Sequence, residues 1–200
     1  MRSMPSSPAA PQGQQRPRVH SVPTYTASYG PEAVDLAAVA GLKLDPWQAY
    51  VLDVALAHDS RGRHIAFEVG LIVARQNGKG SILEARELWG LFLGAERLIL
   101  HSAHEYKTAQ EAFLRIKSLV DNTDALRSRV RAIRTANGEQ GIELSNGNRL
   151  RFVARSKGSG RGFSGDCVIL DEAYELNAEQ MAALLPTLSS RPNPQLWYTS

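Results

Sequence analysis

Residues 67–73 form a largely apolar run that breaks at once into ARQNGKGS, residues 74–81. An extended run ending in a glycine turn with a lysine beside the glycine is how a chain builds a phosphate cradle. The N–H groups of the turn and of the next helix start point at the anion, and the lysine adds a point charge. The helix is supplied by residues 82–92 (ILEARELWGLF), whose apolar and polar residues recur at helical spacing. Against the pattern G-x-x-x-x-G-K-[ST] the match is imperfect. Val73 stands where the first glycine belongs and Gly80 where a hydroxyl belongs, with the hydroxyl arriving one residue late as Ser81. Taken alone, an NGKG stretch reads equally well as a surface turn.

The rest of the chain bounds what can surround this unit. Two hundred residues suit one domain of ordinary size. Hydrophobic residues at 43% and charged residues at 22% read as soluble and globular, and no apolar run is long enough for a bilayer span. The N-terminus has no apolar segment of the secretory kind. The single cysteine, Cys167, has no internal partner and lies in an apolar run, which fits a buried thiol in a reducing compartment. A net charge of +3 and a pI near 9.2 permit nucleic-acid contact without requiring it. Two arginine-rich groups, Arg127, Arg129, Arg131 and Arg134, then Arg149, Arg151, Arg155, Lys157 and Arg161, read either as solvated faces or as phosphate-facing surfaces.

In chain order, residues 1–29 are rich in Pro, Ser, Gln and Ala and are expected to be mostly disordered, ahead of a domain over 30–200. A short helix is expected over 31–40 with Gly41 as its stop. Residues 44–56 start a second helix, with Asp45 to cap it and Pro46 at the first helical position. Trp47 there is either core or, with Gln48, an adenine contact made by packing and by an amide that donates and accepts. Strands are expected over 64–73, 98–103, 167–170 and 195–200, and helices over 105–120, within 121–130, and over 177–188. Asn137-Gly138 and Asn146-Gly147 separate segments 132–136, 141–144 and 149–154, which predicts an antiparallel ribbon at a sheet edge. Residues 156–166 (SKGSGRGFSGD) read as a Gly/Ser loop. Apolar strands alternating with helices imply an α/β fold with a mostly parallel sheet flanked by helices.

The strand 167–170 ends in Asp171-Glu172, an apolar strand finishing in two acids about 90 residues after the GK loop. Lone strands of this kind are common and usually only solvated. Here both motifs fall at the carboxyl ends of parallel strands, where open α/β sheets bind ligands. Together they predict an ATP site. Gln76, Asn77, Gly78, Lys79, Gly80 and Ser81 would line the phosphates, with Lys79 at the β and γ positions. Asp171 would orient Mg²⁺ and Glu172 the attacking water. Arg75, inside the loop, and Arg161, in the Gly/Ser loop, are candidates for charge compensation, although an arginine in such a loop can equally face solvent.

ARQNGK, GRGFSGDCVILDEA, HSAHEYKTAQEAF and the closing WYTS, in their order and spacing along the chain, resemble the ATPase domain of the large terminase subunit of tailed bacteriophages. The resemblance covers about residues 42–200, and the group it points to is that of HK97-like siphoviruses infecting actinobacteria. It implies a P-loop sheet of the ASCE/RecA-like kind. It also implies a motor that hydrolyses ATP with Mg²⁺ to pump double-stranded DNA into a procapsid, as a homo-oligomeric ring docked on the portal protein and served by a small terminase subunit. It would work in the host bacterial cytoplasm, with no membrane partner and no place in the mature virion. By motif, Arg75 resembles the family's P-loop arginine, Lys79 its Walker A lysine, and Asp171 and Glu172 its Walker B acid and catalytic glutamate. Arg161 resembles the arginine that reaches a neighbouring subunit's ATP, and Gln48 the adenine-reading glutamine. Tyr198, Thr199 and Ser200 resemble the coupling motif, and residues 101–103 (HSA) the Ia segment shared with helicases.

Two departures follow. Gly80 replaces the hydroxyl that usually ligates Mg²⁺, which leaves the metal to Ser81 or to an extra water. The chain also stops at the coupling motif, before the lid and the nuclease domain with which terminases continue, so it reads as an N-terminal fragment without nuclease activity. The rival readings are a helicase-like ATPase, disfavoured by DEAY at 171–174 and by Val73, and a nucleotide-binding module that does not turn over in isolation.

Overall fold

The computed structural model describes residues 13–74, 76–155, 165–176, 181–182, 186 and 188–200. Its elements in chain order are β1 (Ala27–Ser28), α1 (Gly30–Val39), α2 (Pro46–Ala55), β2 (Ala57–His58), β3 (Glu68–Leu71), α3 (Lys79–Phe92), β4 (Leu98–Ala103), α4 (Tyr106–Asp121), α5 (Asp124–Arg127), β5 (Val130–Arg134), β6 (Gly141–Leu144), β7 (Arg149–Ala154), β8 (Cys167–Leu170) and β9 (Gln195–Thr199). The two short strands β1 and β2 pair antiparallel, and the other seven form one sheet in the order β3-β9-β8-β4-β7-β6-β5. The five strands from β3 to β7 run parallel, while β6 and β5 complete the expected antiparallel ribbon at one edge. The fold is therefore the anticipated α/β fold.

The sheet is apolar on both faces, and its strands show it at period 2. In β8, Cys167 and Ile169 face the main core, with Trp197 of β9, Phe152 of β7 and the inner faces of α1 to α4. Val168 and Leu170 face the other way, against Leu100, Leu188 and Leu196. Every residue of β8 is buried. Each such fully buried aliphatic side chain is worth about 1.5–3 kcal/mol of transfer free energy, which is why these strands read as continuous apolar runs.

Helix starts follow local chemistry. Pro46 sits at the start of α2, and Asp45 and Gln48 form a reciprocal capping box there. Gly41 takes the left-handed conformation just past α1.

Two expected strands and one helix start need adjustment: α3 begins at Lys79, three residues before the expected 82. The strand expected over 64–73 is regular only over Glu68–Leu71. Its first residues leave the sheet, because the His64 N–H donates to Asn193 Oδ1 and His64 bridges His58. β5 begins two residues earlier than expected, at Val130, with a register irregularity between Val130 and Ala132. The helix expected over 177–188 lies largely outside the described residues. Of the segment 1–29, residues 13–26 form no helix or strand but lie on α2: Gln15 Oε1 accepts the Trp47 N–H, the Arg16 guanidinium lies over Tyr50, and the Tyr25 hydroxyl donates to Asp53.

Candidate nucleotide-binding site

β3 ends at Leu71, and α3 begins at Lys79. The turn needs two left-handed residues, Gln76 at φ 62° and Gly78 at φ 80°. Gly78 adopts this conformation without a Cβ penalty, whereas at Gln76 it costs on the order of 1 kcal/mol. The loop is tied down from α2. Gln48, 5% exposed, donates its Nε2 to the Gly78 carbonyl at 2.8 Å while its Oε1 accepts the Asp45 N–H at 2.7 Å. Both ends of that amide are thus engaged in positioning the loop against the helix. Trp47, half-buried against the core, lines with Gln48, Val51, Val73, Arg16 and Pro17 a cavity of about 580 Å³ beside the loop.

The second half of the site comes from the carboxyl ends of β8 and β9. Lys79 Nζ lies 2.7 Å from Asp171 Oδ1, across 92 residues of sequence. The same oxygen accepts the Thr199 hydroxyl at 2.8 Å and the Glu172 N–H at 2.9 Å. Burial pushes the Asp171 carboxyl upward, but the hydrogen bond and charge of Lys79, with the Thr199 hydroxyl, outweigh it and hold the group below its ordinary value of 3.8. Asp171 is therefore an anion at neutral pH, with a cation already beside it.

Glu172 takes the left-handed conformation at φ 55° and ψ 48°. For a non-glycine residue this stores on the order of 1 kcal/mol, and such strain gathers at working sites. One carboxylate oxygen accepts the Thr108 hydroxyl at 3.3 Å. The other, Oε2, is buried without a hydrogen-bond partner among the described residues. A buried oxygen lacking a donor beside a second carboxylate is a donor set for a hard cation. Mg²⁺ characteristically uses one or two carboxylates and completes its shell with phosphate oxygens and water. Asp171 and Glu172 fit that requirement, and no group of three or more His, Cys, Asp or Glu side chains suited to a metal occurs among the described residues.

The last strand connects the two halves. Thr199 bonds Asp171, and the next residue joins the edge strand: the Ser200 N–H donates to Leu71 O at 3.0 Å and its carbonyl accepts the Val73 N–H at 3.0 Å. Tyr198 points the other way and donates to Glu68 at 2.9 Å. His101, in the HSA segment, is buried against Glu87 of α3, and the Ser102 carbonyl accepts the Asp171 N–H. Ser81 lies in the first turn of α3, where its N–H donates to Gly78 O. Of the residues singled out in the sequence, Arg75 and Arg161 lie outside the described residues.

Two contributors carried no sequence signal of their own. Arg155 donates to the backbone carbonyls of Ser102, Asp171 and Glu172, at 2.8, 2.6 and 3.0 Å, so it holds the end of β8 in place. Burial lowers its pKa, opposed by the charges of Glu172 and Asp171. In the sequence it is one arginine of a basic group. Thr108, in the first turn of α4, reads only as a helix residue.

A mostly parallel sheet flanked by helices, with a glycine turn after its edge strand and two acids at the end of a central strand, makes an α/β domain. More narrowly, the fold is that of the ATPase domain of phage large terminases. The HK97 bacteriophage large terminase superposes with a TM-score of 0.73 at 19% identity, over 87% of this chain and 38% of that one. The Thermus phage P74-26 large terminase ATPase domain gives 0.61 at 21% identity, over 82% and 67%. A large terminase from another thermophilic bacteriophage, in complex with ADP, gives 0.52 at 12% identity, over 67% and 33%. The chain thus spans little more than a third of the HK97 protein. No family model matches it, and no curated protein does.

Proposed function

We propose that this chain is the ATP-hydrolysing motor domain of a phage large terminase, using ATP to drive double-stranded DNA into a procapsid. The observation that carries the reading is Asp171 Oδ1, which gathers Lys79 from the phosphate loop and Thr199 from the last strand onto one atom. That atom sits within a fold shared with large terminases, one of which has been solved in complex with ADP and with ATP-γ-S.

In this reading the loop 76–81 and the N–H groups opening α3 bind the phosphates, and Lys79 leaves Asp171 for the β and γ oxygens. Asp171, with Ser81 in reach of the phosphates, would hold Mg²⁺, which supplies positive charge against the phosphate oxygens when bound. Glu172, strained and with one oxygen lacking a donor, orients the attacking water and takes its proton. Trp47 and the adjoining cavity receive the base, and Gln48 reports base occupancy to Gly78. Arg75 compensates charge from within the loop, and Arg161 does so on a neighbouring subunit's ATP. Hydrolysis releases Lys79 to Asp171 again. Thr199 feels that change directly, and Ser200 passes it to the edge strand that carries the phosphate loop, which gives residues 198–200 a coupling role.

The partners of this reading are double-stranded DNA, the portal protein, the small terminase subunit and further copies of the chain in a ring, in the bacterial cytoplasm. Residues 30–200 form the motor unit.

ATP turnover measured against protein concentration, beside Glu172→Gln, tests the proposal. Turnover per subunit that rises with concentration and vanishes in the variant supports a site completed by a neighbour. Absence of MgATP binding overturns the reading of the loop itself.

A further inference from the structure

Position 80 is where the phosphate-loop pattern places a hydroxyl, and this chain has glycine. The space is not empty. A Cβ built on Gly80 would lie 2.9 Å from one terminal guanidinium nitrogen of Arg115 and 3.4 Å from its Cζ. Arg115 reaches there from α4, the helix that follows β4. Its Nε is paired at 2.6 Å with Glu84, one turn further along α3 on the same face as residue 80.

Glu84 is largely buried and Arg115 is about half exposed, with side-chain exposures of 9% and 55%. The carboxylate therefore anchors the stem side of the guanidinium and leaves the outer side of the fork turned toward the N-terminus of α3. Glu84 is the sole ion-pair partner of Arg115 among the described residues. A side chain larger than hydrogen at position 80 would have to displace that nitrogen, so glycine and arginine fill one volume between them.

We infer that Arg115 is a phosphate-contacting residue of this site, taking up from α4 the place left by the missing hydroxyl. The inference rests on the ATP reading of the loop. Its chemistry differs from the hydroxyl's. A hydroxyl offers a lone pair to a cation, whereas a guanidinium offers two N–H donors and a full positive charge to the phosphate oxygens. The site thereby moves part of its charge compensation from a metal ligand onto a fixed side chain.

The test is MgATP and adenosine binding by isothermal titration calorimetry. The proteins are the wild-type chain, Arg115→Ala, Arg115→Lys, Gly80→Ser and the Gly80→Ser/Arg115→Ala double variant. A hydrogen bond to a charged group is worth about 1.5–3 kcal/mol, so Arg115→Ala should weaken MgATP binding about 10- to 100-fold and leave adenosine unchanged. Gly80→Ser alone should weaken MgATP binding by displacing the guanidinium. In the Arg115→Ala background the same serine should strengthen it, and that reversal of sign is what a role confined to pairing Glu84 would not produce. Arg115→Lys keeps a charge beside Glu84 and guards against loss of folding; it should bind MgATP between wild type and alanine. Wild-type affinity in Arg115→Ala, or equal losses for MgATP and adenosine, overturns the inference and leaves the ATP reading standing. A wild-type chain that binds no MgATP overturns both.

Discussion

Two of the ion pairs made by helix α3 could hardly be less alike. At its first residue Lys79 meets Asp171 at 2.7 Å, with side-chain exposures of 22% and 14%. Two turns on, Arg86 meets Glu96 at 2.6 Å, at 0% and 7%. Arg86 binds Glu96 through both terminal nitrogens, donates its Nε to Gln195 and lies over the Trp89 ring. Gln195 in turn donates to Ala55 O and Ala66 O and accepts the Trp197 indole N–H. This network locks the amino-terminal edge of the sheet, and its donors and acceptors meet one another. At the carboxyl edge, Glu172 is left strained with an oxygen lacking a donor among the described residues, and Lys79 is held by one partly exposed carboxylate. Similar pair chemistry is thus closed where water is excluded and the guanidinium donors are all matched, and left open where neither holds.

Removing one member of each pair should separate the two edges most sharply. Arg86→Ala leaves Glu96 buried and uncompensated, and should cost about 3–5 kcal/mol in urea unfolding. A loss below about 1 kcal/mol would mean that Glu96 finds water and that the contrast is false.

pH should distinguish them next. Burial, opposed by Glu96, depresses the pKa of His64 below its ordinary 6.5. The unfolded chain therefore takes up a proton below about pH 6.5 while the folded chain does not. Stability should fall as pH drops through that value, by at most about 1.4 kcal/mol per pH unit for one proton. Asp171, depressed below 3.8, contributes stability that is lost only as the pH falls below that value. The difference between wild type and His64→Gln in denaturant midpoint, followed from pH 7 to 5, should carry this slope. A flat difference would remove His64 from the account.

Glu172→Gly should stabilise the chain by about 1 kcal/mol by relieving the left-handed backbone while abolishing turnover. A destabilised variant would mean that the strain is compensated locally. The smallest effect on stability belongs to Lys79→Ala, a change of about 1 kcal/mol or less, because Asp171 keeps Thr199 and the Glu172 N–H. MgATP binding should nonetheless be lost in calorimetry. A large stability loss there would make the Lys79 pair architectural and erase the distinction between the two pairs.

The local units were legible in the chain alone. The capping residues of α2, the extents of β4, β6, β7 and β8, the edge ribbon and the presence of a strand-to-helix turn ahead of α3 are all set by periodicity, turn chemistry and apolar content. Each of these acts over a few residues, so each can be read from one segment. The two acids after β8 were legible for the same reason.

Which units meet is a matter of packing. Nothing local says that β9 inserts between β3 and β8, yet that insertion brings Thr199 to Asp171 and Ser200 to the strand before the phosphate loop. Nothing in GKGS says that the space at Gly80 is filled from α4, or that Arg155 closes the end of β8. Arg86, Glu84 and Glu87 read as the polar side of a helix that the fold then buries almost completely. Their partners lie on other elements, and the order in which strands pair is settled across the whole sheet, not by any segment of it.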